Sequence, residues 1–220
     1  MAKLYFRYGA MNSGKSTALL QAAYNYEERG HHVLLAKPLI DVKGESLITS
    51  RLGVTRSADF TIGVDEDAYA RFITERAATR SVVSCLLVDE AQFLSERQVD
   101  DLLRIAVVEG VPVLAYGIRT DFQTVAFPGS RRLLEVAHSL EELKTICRCG
   151  RKALFNARKV GDRFVFDGAQ VAIDGVDASY ESLCGACYLD ESDGVLNNGR
   201  RPRDEFSGLR EPDVDFTSLA

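Results

Sequence analysis

The residues Gly9-Ala10-Met11-Asn12-Ser13-Gly14-Lys15-Ser16 constrain the fold of this chain more than any other stretch. They match G-x-x-x-x-G-K-[ST], follow the β-prone run Leu4–Tyr8 and open a helical pattern over Thr17–Tyr26 with Leu19, Leu20 and Ala23 on one face. In a strand–loop–helix of this kind glycine lets the backbone approach phosphates, and the loop N–H groups converge on their oxygens. The helix N-terminus adds partial positive charge. The expectation is a P-loop over Gly9–Ser16, with Lys15 reaching the β- and γ-phosphates of ATP and Ser16 ligating Mg²⁺.

Further along, strand-like and helix-like segments alternate. Val33–Ala36 is strand-like, and 37–66, broken by Gly44, Gly53 and Gly63, reads as a long loop. Asp67–Thr79 is helix-like. Cys85–Asp89 is an apolar run ending in a carboxylate, as in a buried parallel strand. Ser95-Glu96-Arg97-Gln98 has the form of a capping box before a helix that stops near Gly110. Val111–Tyr116 is strand-like, Ser130–Ala137 helical, and Leu143–Cys147 the expected last strand. The alternation predicts an α/β domain: a parallel sheet with helices on both faces. Asp89 then stands where an acidic group would hold Mg²⁺ opposite Ser16, and Glu90 can serve as general base for an attacking hydroxyl.

The pattern changes near Cys147 to short β-like pieces at Ala153–Val160, Arg163–Phe166 and Gln170–Ile173, with a turn at Gly161-Asp162. Four of the five cysteines form two pairs, Cys147-x-Cys149 and Cys184-x₂-Cys187, 34 residues apart. Four thiolates predict a closed tetrahedral site for a structural Zn²⁺. Residues 150–183 hold too few apolar side chains for a core of their own, so zinc would staple them into a loop able to cover a ligand. The lone Cys85 reads as core. The domain expectation is a P-loop nucleotide-binding domain over 1–146, a zinc-binding domain over 147–189 and a disordered acidic tail over 190–220.

That tail carries most of the net charge of −5, so the body is close to neutral, which argues against a nucleic-acid binder. No apolar run approaches the roughly 20 residues of a membrane span. The N-terminus lacks the apolar region of a signal peptide, so the expected location is cytoplasmic, without membrane or nucleic-acid partners.

Together these motifs resemble the zinc-containing, cytosolic (type II) thymidine kinase family over residues 4 to about 189. The resemblance rests on Gly9–Ser16, on Asp89-Glu90-Ala91-Gln92-Phe93, on Tyr116–Gln123, on Leu143–Cys149 with Gly150–Ala153, and on Tyr180–Cys184. It implies a RecA-like domain binding ATP and Mg²⁺, and a zinc-stapled lasso closing on thymidine. Glu90 would be the catalytic base beside Lys15. Met11, Phe93, Ile118, Phe122 and Phe127 match positions lining the base pocket, and Val171, Ile173 and Tyr180 match lasso positions near the base. Asp41 and Lys43 match an Asp-x-Arg element near the sugar and phosphates, and Arg158 a lasso arginine facing the transferred charge. Three places depart from the family pattern: Asn12, often Phe in relatives; Lys43, which replaces an arginine; and Asp174-Gly175-Val176, in place of an apolar-Gly-Gly stretch. The implied reaction is phosphorylation of the thymidine 5′-hydroxyl by ATP, with deoxyuridine a possible second substrate, a homotetrameric assembly and dTTP as inhibitor.

Two other readings compete. Asp89-Glu90-Ala91-Gln92 also resembles a helicase motif, which would suit a P-loop ATPase acting on nucleic acid, although such enzymes usually need two such domains. A regulator that senses dTTP without turnover would have no use for Glu90.

Overall fold

The computed structural model describes residues 1–39, 46–168, 170 and 178–194. Six strands form one all-parallel sheet: β1 (Leu4–Tyr8), β2 (His32–Pro38), β5 (Phe60–Ile62), β6 (Val83–Val88), β7 (Val113–Gly117) and β8 (Ser139–Glu142). Their spatial order is β5-β2-β6-β7-β1-β8.

The central strands are almost wholly apolar because both faces are covered, and successive side chains go to opposite layers. Val33, Leu35, Cys85, Leu87, Leu114 and Tyr116 pack under α1 (Lys15–Glu27), which contributes Leu19, Leu20 and Ala23. Their neighbours Leu34, Ala36, Leu86, Val88, Val113 and Ala115 pack in the opposite layer with Phe72 of α2 (Ala68–Ala78), Leu102 and Ile105 of α3 (Glu96–Val108) and Leu133 of α4 (Pro128–Val136). Helix starts follow local chemistry. Asp67 caps α2 by accepting from the Ala70 N–H, Ser95 and Gln98 close a reciprocal capping box on α3, and Pro128 opens α4.

The structure corrects several sequence expectations. The 37–66 segment contains a hairpin, β3 (Leu47–Thr49) with β4 (Thr55–Ser57), as well as strand β5. Each of these strands has only three residues, too few for a legible alternation, although Ile48, Phe60 and Ile62 are buried. The last parallel strand is β8 rather than Leu143–Cys147. As an edge strand it is polar and partly exposed, which hides it from a search for apolar runs. Thr145–Ile146 instead forms β9, antiparallel to β10 (Lys152–Ala153).

The cysteine region is a separate antiparallel sheet of β11 (Phe155–Val160), β12 (Arg163–Val165) and β13 (Ala178–Leu183), followed by α5 (Gly185–Glu191). Gly161, at φ 58°, turns β11 into β12. Polar composition concealed β13, and α5 runs past 190, where the tail was expected to begin; Ser192 is buried. Gln170 is not in a strand, and Val171 to Ile173 and 195–220 lie outside the described residues. The small core here joins Ala153, Ala157 and Leu183 to Cys147, Cys184 and Tyr188. The Tyr188 ring lies 5.1 Å from that of Phe155 and 5.2 Å from that of Phe166. Residues beyond 150–183 therefore complete this core.

Among the described residues no helix is long and apolar enough to cross a membrane. One close approach fixes how α4 meets the turn after β6. A Cβ on Gly129 would lie 2.5 Å from the Ala91 carbonyl oxygen and 2.6 Å from that of Leu94. Alanine in a helix usually stabilises by roughly 0.5–1 kcal/mol. Here Gly129→Ala is expected to destabilise by about 1–3 kcal/mol in urea unfolding through overpacking, and a more stable variant would contradict this packing.

Candidate active site

Ligands of open α/β sheets bind beyond the carboxyl ends of the strands. At that edge β1 gives way to Gly9–Ser16, β6 to Asp89 and Glu90, and β7 to Ile118. In the loop after β1, Asn12 and Gly14 have left-handed φ values of 65° and 77°. Such alternation of handedness makes successive N–H groups converge. Gly9 has no room for a side chain, since a Cβ there would lie 2.5 Å from the Leu143 carbonyl oxygen.

Lys15 is buried at 8% exposure, and an ammonium so placed needs acceptors. Its Nζ donates to the Ala10 carbonyl at 2.9 Å and the Gly9 carbonyl at 3.4 Å. Burial pulls the Lys15 ammonium below its ordinary pKa, the carboxylates of Glu90 and Asp89 oppose that shift, and the nearby Arg51 adds to it. Ser16 Oγ donates to Asp89 Oδ2 at 3.1 Å, linking the first turn of α1 to the start of the loop after β6. Burial, and then the charge of Glu90, push the Asp89 carboxyl up to about 6.

Glu90 sits at φ 51°, a left-handed conformation uncommon for a residue with a side chain. Gln92 Nε2 donates to Glu90 Oε2, while Gln92 Oε1 accepts from the Ile118 N–H at 3.2 Å. The wholly buried Gln92 thus holds the Glu90 carboxylate against the end of β7. Gly117 makes room for it, because a Cβ there would come within 2.7 Å of Gln92 Oε1.

A cleft of about 980 Å³ opens beside these groups, within the upper range for small-molecule sites. It brings together Met11, Asn12, Gly14, Lys15, Ser16, Glu90, Phe93, Ile118, Phe122, Phe127 and Tyr180, all expected from the sequence. Gly9, Ala10 and Ser13 do not line it; the carbonyls of Gly9 and Ala10 are engaged by Lys15. Asp89 reaches it through Ser16. Asp41, Lys43, Val171, Ile173 and Asp174 to Val176 lie outside the described residues.

Part of the cleft lining is aromatic: Phe93, Phe122, Phe127 and Tyr180. The Phe93 and Phe127 rings meet edge to face at 5.4 Å. Arg158, nearly buried, lies 3.7 Å over the Phe122 ring and donates through Nε to the Tyr180 hydroxyl at 3.1 Å. A flat guanidinium between two rings stiffens this wall by cation–π attraction.

Sequence reasoning missed Gln92, Arg51, Asp121 and Asn156, which also line the cleft. Arg51 sits in the β3–β4 connection, which was read as loop. Asn156 lies in a strand of the cysteine region, outside any motif with a chemical signature. Gln92 stands within the Asp89–Phe93 motif, but its contact with Ile118 joins residues far apart in sequence.

The cysteine expectation is met in geometry. The Sγ atoms of Cys147, Cys149, Cys184 and Cys187 all lie within 4.8 Å of one another, an arrangement able to hold a metal ion. All four are free thiols, and the Cys149 and Cys184 sulfurs stand 3.5 Å apart, too far for a disulfide. Cys85 is fully buried core, with its thiol pushed up to about 12 by burial.

Comparison with known proteins agrees with this geometry. A protein-family model described as "Thymidine kinase" matches residues 2–188. The chain is 50% identical over 188 residues to a thymidine kinase of Idiomarina loihiensis, covering 84% of this chain and 94% of that protein. It is 48% identical over 191 residues to one from Chromobacterium violaceum, covering 86% and 98% respectively. It is 47% identical over 211 residues to one from Mesorhizobium japonicum, covering 95% and 98%. With a P-loop, a carboxylate pair, an aromatic cleft and a four-cysteine cluster in one chain, and a family match over most of its length, the protein belongs to the thymidine kinase family.

Proposed function

We propose that the chain transfers the γ-phosphoryl group of ATP to the 5′-hydroxyl of thymidine. The observation that carries this reading is a single cleft lined by Lys15 and Ser16, by Phe93, Phe122, Phe127 and Tyr180, and by Glu90. In this reading the Gly9–Ser16 loop and Lys15 bind the β- and γ-phosphates, and Ser16 and Asp89 hold Mg²⁺. Magnesium, when bound, neutralises charge on the phosphate oxygens. The burial that disfavours the ionised Asp89 carboxylate suits it to a cation partner.

Glu90 accepts the proton of the attacking hydroxyl as the new 5′-O–P bond forms and the bond from the γ-phosphorus to the β–γ bridging oxygen breaks. ADP leaves; a charge-stabilising role for Arg158, which packs on Phe122 and bonds to Tyr180 without lining the cleft, rests on family resemblance alone. The aromatic residues receive the base together with Met11 and Ile118. Asp41, Val171 and Ile173 belong to the same nucleoside site by family resemblance. An apolar pocket gains only about 1–3 kcal/mol from one methyl group, so deoxyuridine is a second, weaker substrate.

The type II subclass, a RecA-like P-loop domain up to about 146 and a lasso over 147–189 belong to the same reading. Support comes from the strand order, in which β7 separates the P-loop strand from the carboxylate strand, and from the cysteine sheet at the cleft. The four thiols suit Zn²⁺, which at a closed tetrahedral site is structural. Cytoplasmic location, a homotetramer and inhibition by dTTP complete the proposal.

Transfer of label from γ-³²P ATP tests the reaction. Labelled thymidine monophosphate is expected, with turnover falling about 10²–10⁴-fold in Glu90→Gln, the usual contribution of a general base. Label released only as free phosphate, whatever nucleoside is offered, would mean an ATPase of the nucleic-acid class. Elemental analysis is expected to find one zinc per chain, with chelation lowering the unfolding midpoint; purified, unchelated protein with far less zinc and full stability contradicts the structural metal.

A further inference from the structure

Asn156 on β11 and Ser182 on β13 are directly paired across the antiparallel ladder, and both are nearly buried. Both side chains reach Met11. The Met11 N–H donates to Asn156 Oδ1 at 2.7 Å, and Ser182 Oγ donates to the Met11 carbonyl. Asn156 Nδ2 donates in turn to the Thr120 carbonyl at 2.9 Å, so the asparagine is braced from the β7 side of the cleft. The backbone groups on either side of the Met11 Cα are therefore fixed by side chains more than a hundred positions away.

This hold has a consequence for the neighbouring residue. Asn12 carries a side chain yet sits at φ 65°. A left-handed L-residue costs roughly 1–2 kcal/mol, with asparagine among the more tolerant. That conformation, with Gly14 at φ 77°, turns the following N–H groups inward. The Met11 N–H, committed to Asn156, takes no part in the convergence. What the pair does for the loop is hold its first turn in the handedness that the rest requires.

We infer that Asn156 and Ser182 are positioning residues for the nucleotide phosphates, a clamp by which the cysteine region sets the conformation of the P-loop at Met11-Asn12. The inference rests on the reading of Gly9–Ser16 as the ATP site, but not on thymidine as the acceptor. It predicts a defect in triphosphate binding, not in proton transfer. KM for ATP rises while kcat at saturating ATP changes little.

The test is calorimetric binding of the β,γ-imido analogue of ATP with Mg²⁺, which needs no turnover, on the unaltered protein and on Asn156→Ala and Ser182→Ala. Each variant is expected to bind about tenfold more weakly, near the cost of one left-handed residue. Adding Asn12→Gly to Asn156→Ala should recover most of that loss, because glycine adopts the left-handed conformation freely. If Asn156→Ala loses metal or unfolds, Ser182→Ala, which removes only a hydroxyl, decides the matter. Unchanged affinity in a folded variant overturns the clamp. So does a loss of affinity in folded Asn156→Ala that Asn12→Gly leaves untouched, since positioning through loop handedness is then not the cause. An unaltered protein that fails to bind the analogue overturns the ATP-site reading beneath it.

Discussion

Burying the Lys15 ammonium beside two carboxylates is the constraint on which the rest of the structure depends. Lys15 and Asp89, from two distant segments, are both buried here beside the half-buried Glu90, and desolvation penalises the charged form of each of the two buried groups. The arrangement persists because the charges oppose one another and because loop carbonyls and Ser16 take up the hydrogen bonds. A fold selected for stability alone would fill this place with apolar side chains. The parallel sheet makes the convergence possible, since β1 and β6 both run toward the same edge with β7 between them.

The second layer of organisation is the small sheet beyond Cys147. Its side chains reach back into the larger unit at several points. Asn156 and Ser182 grip Met11, Tyr188 donates to the Phe122 carbonyl at 2.6 Å, and Arg158 lies against the Phe122 ring. One region of the chain thus touches two parts of the cleft lining, the loop at Met11 and the aromatic residue Phe122. Four thiols within 4.8 Å of one another tie the start of this region to its last helix, so a metal held there would stiffen both connections together.

The parts legible in the sequence were those written in local chemistry. Gly9–Ser16, the apolar runs of β6 and β7, the capping box at Ser95 and the cysteine pairs each carry their signal within a few residues. The parts that were hidden depend on long-range partners or on exposure. Strand β8 is polar because it forms an edge, β13 is polar because it is half exposed, and the β3–β4 hairpin is too short to show a period. In the site, Glu90, Phe93, Phe122 and Tyr180 stand within recognisable motifs. Gln92 and Asn156 acquire their importance only from contacts with Ile118 and Met11, across 26 and 145 positions, which no window of sequence displays.

On the proposed function, one cleft receives both substrates with their reacting ends facing across Glu90. The most direct measurement is the binding of a conjugate joining adenosine to thymidine, 5′ to 5′, through a tetraphosphate. One conjugate is expected to bind per chain, more tightly than ATP or thymidine alone, with ATP and thymidine each competing against it. Affinity no greater than that of the separate parts, or displacement by ATP but not by thymidine, would contradict a shared cleft.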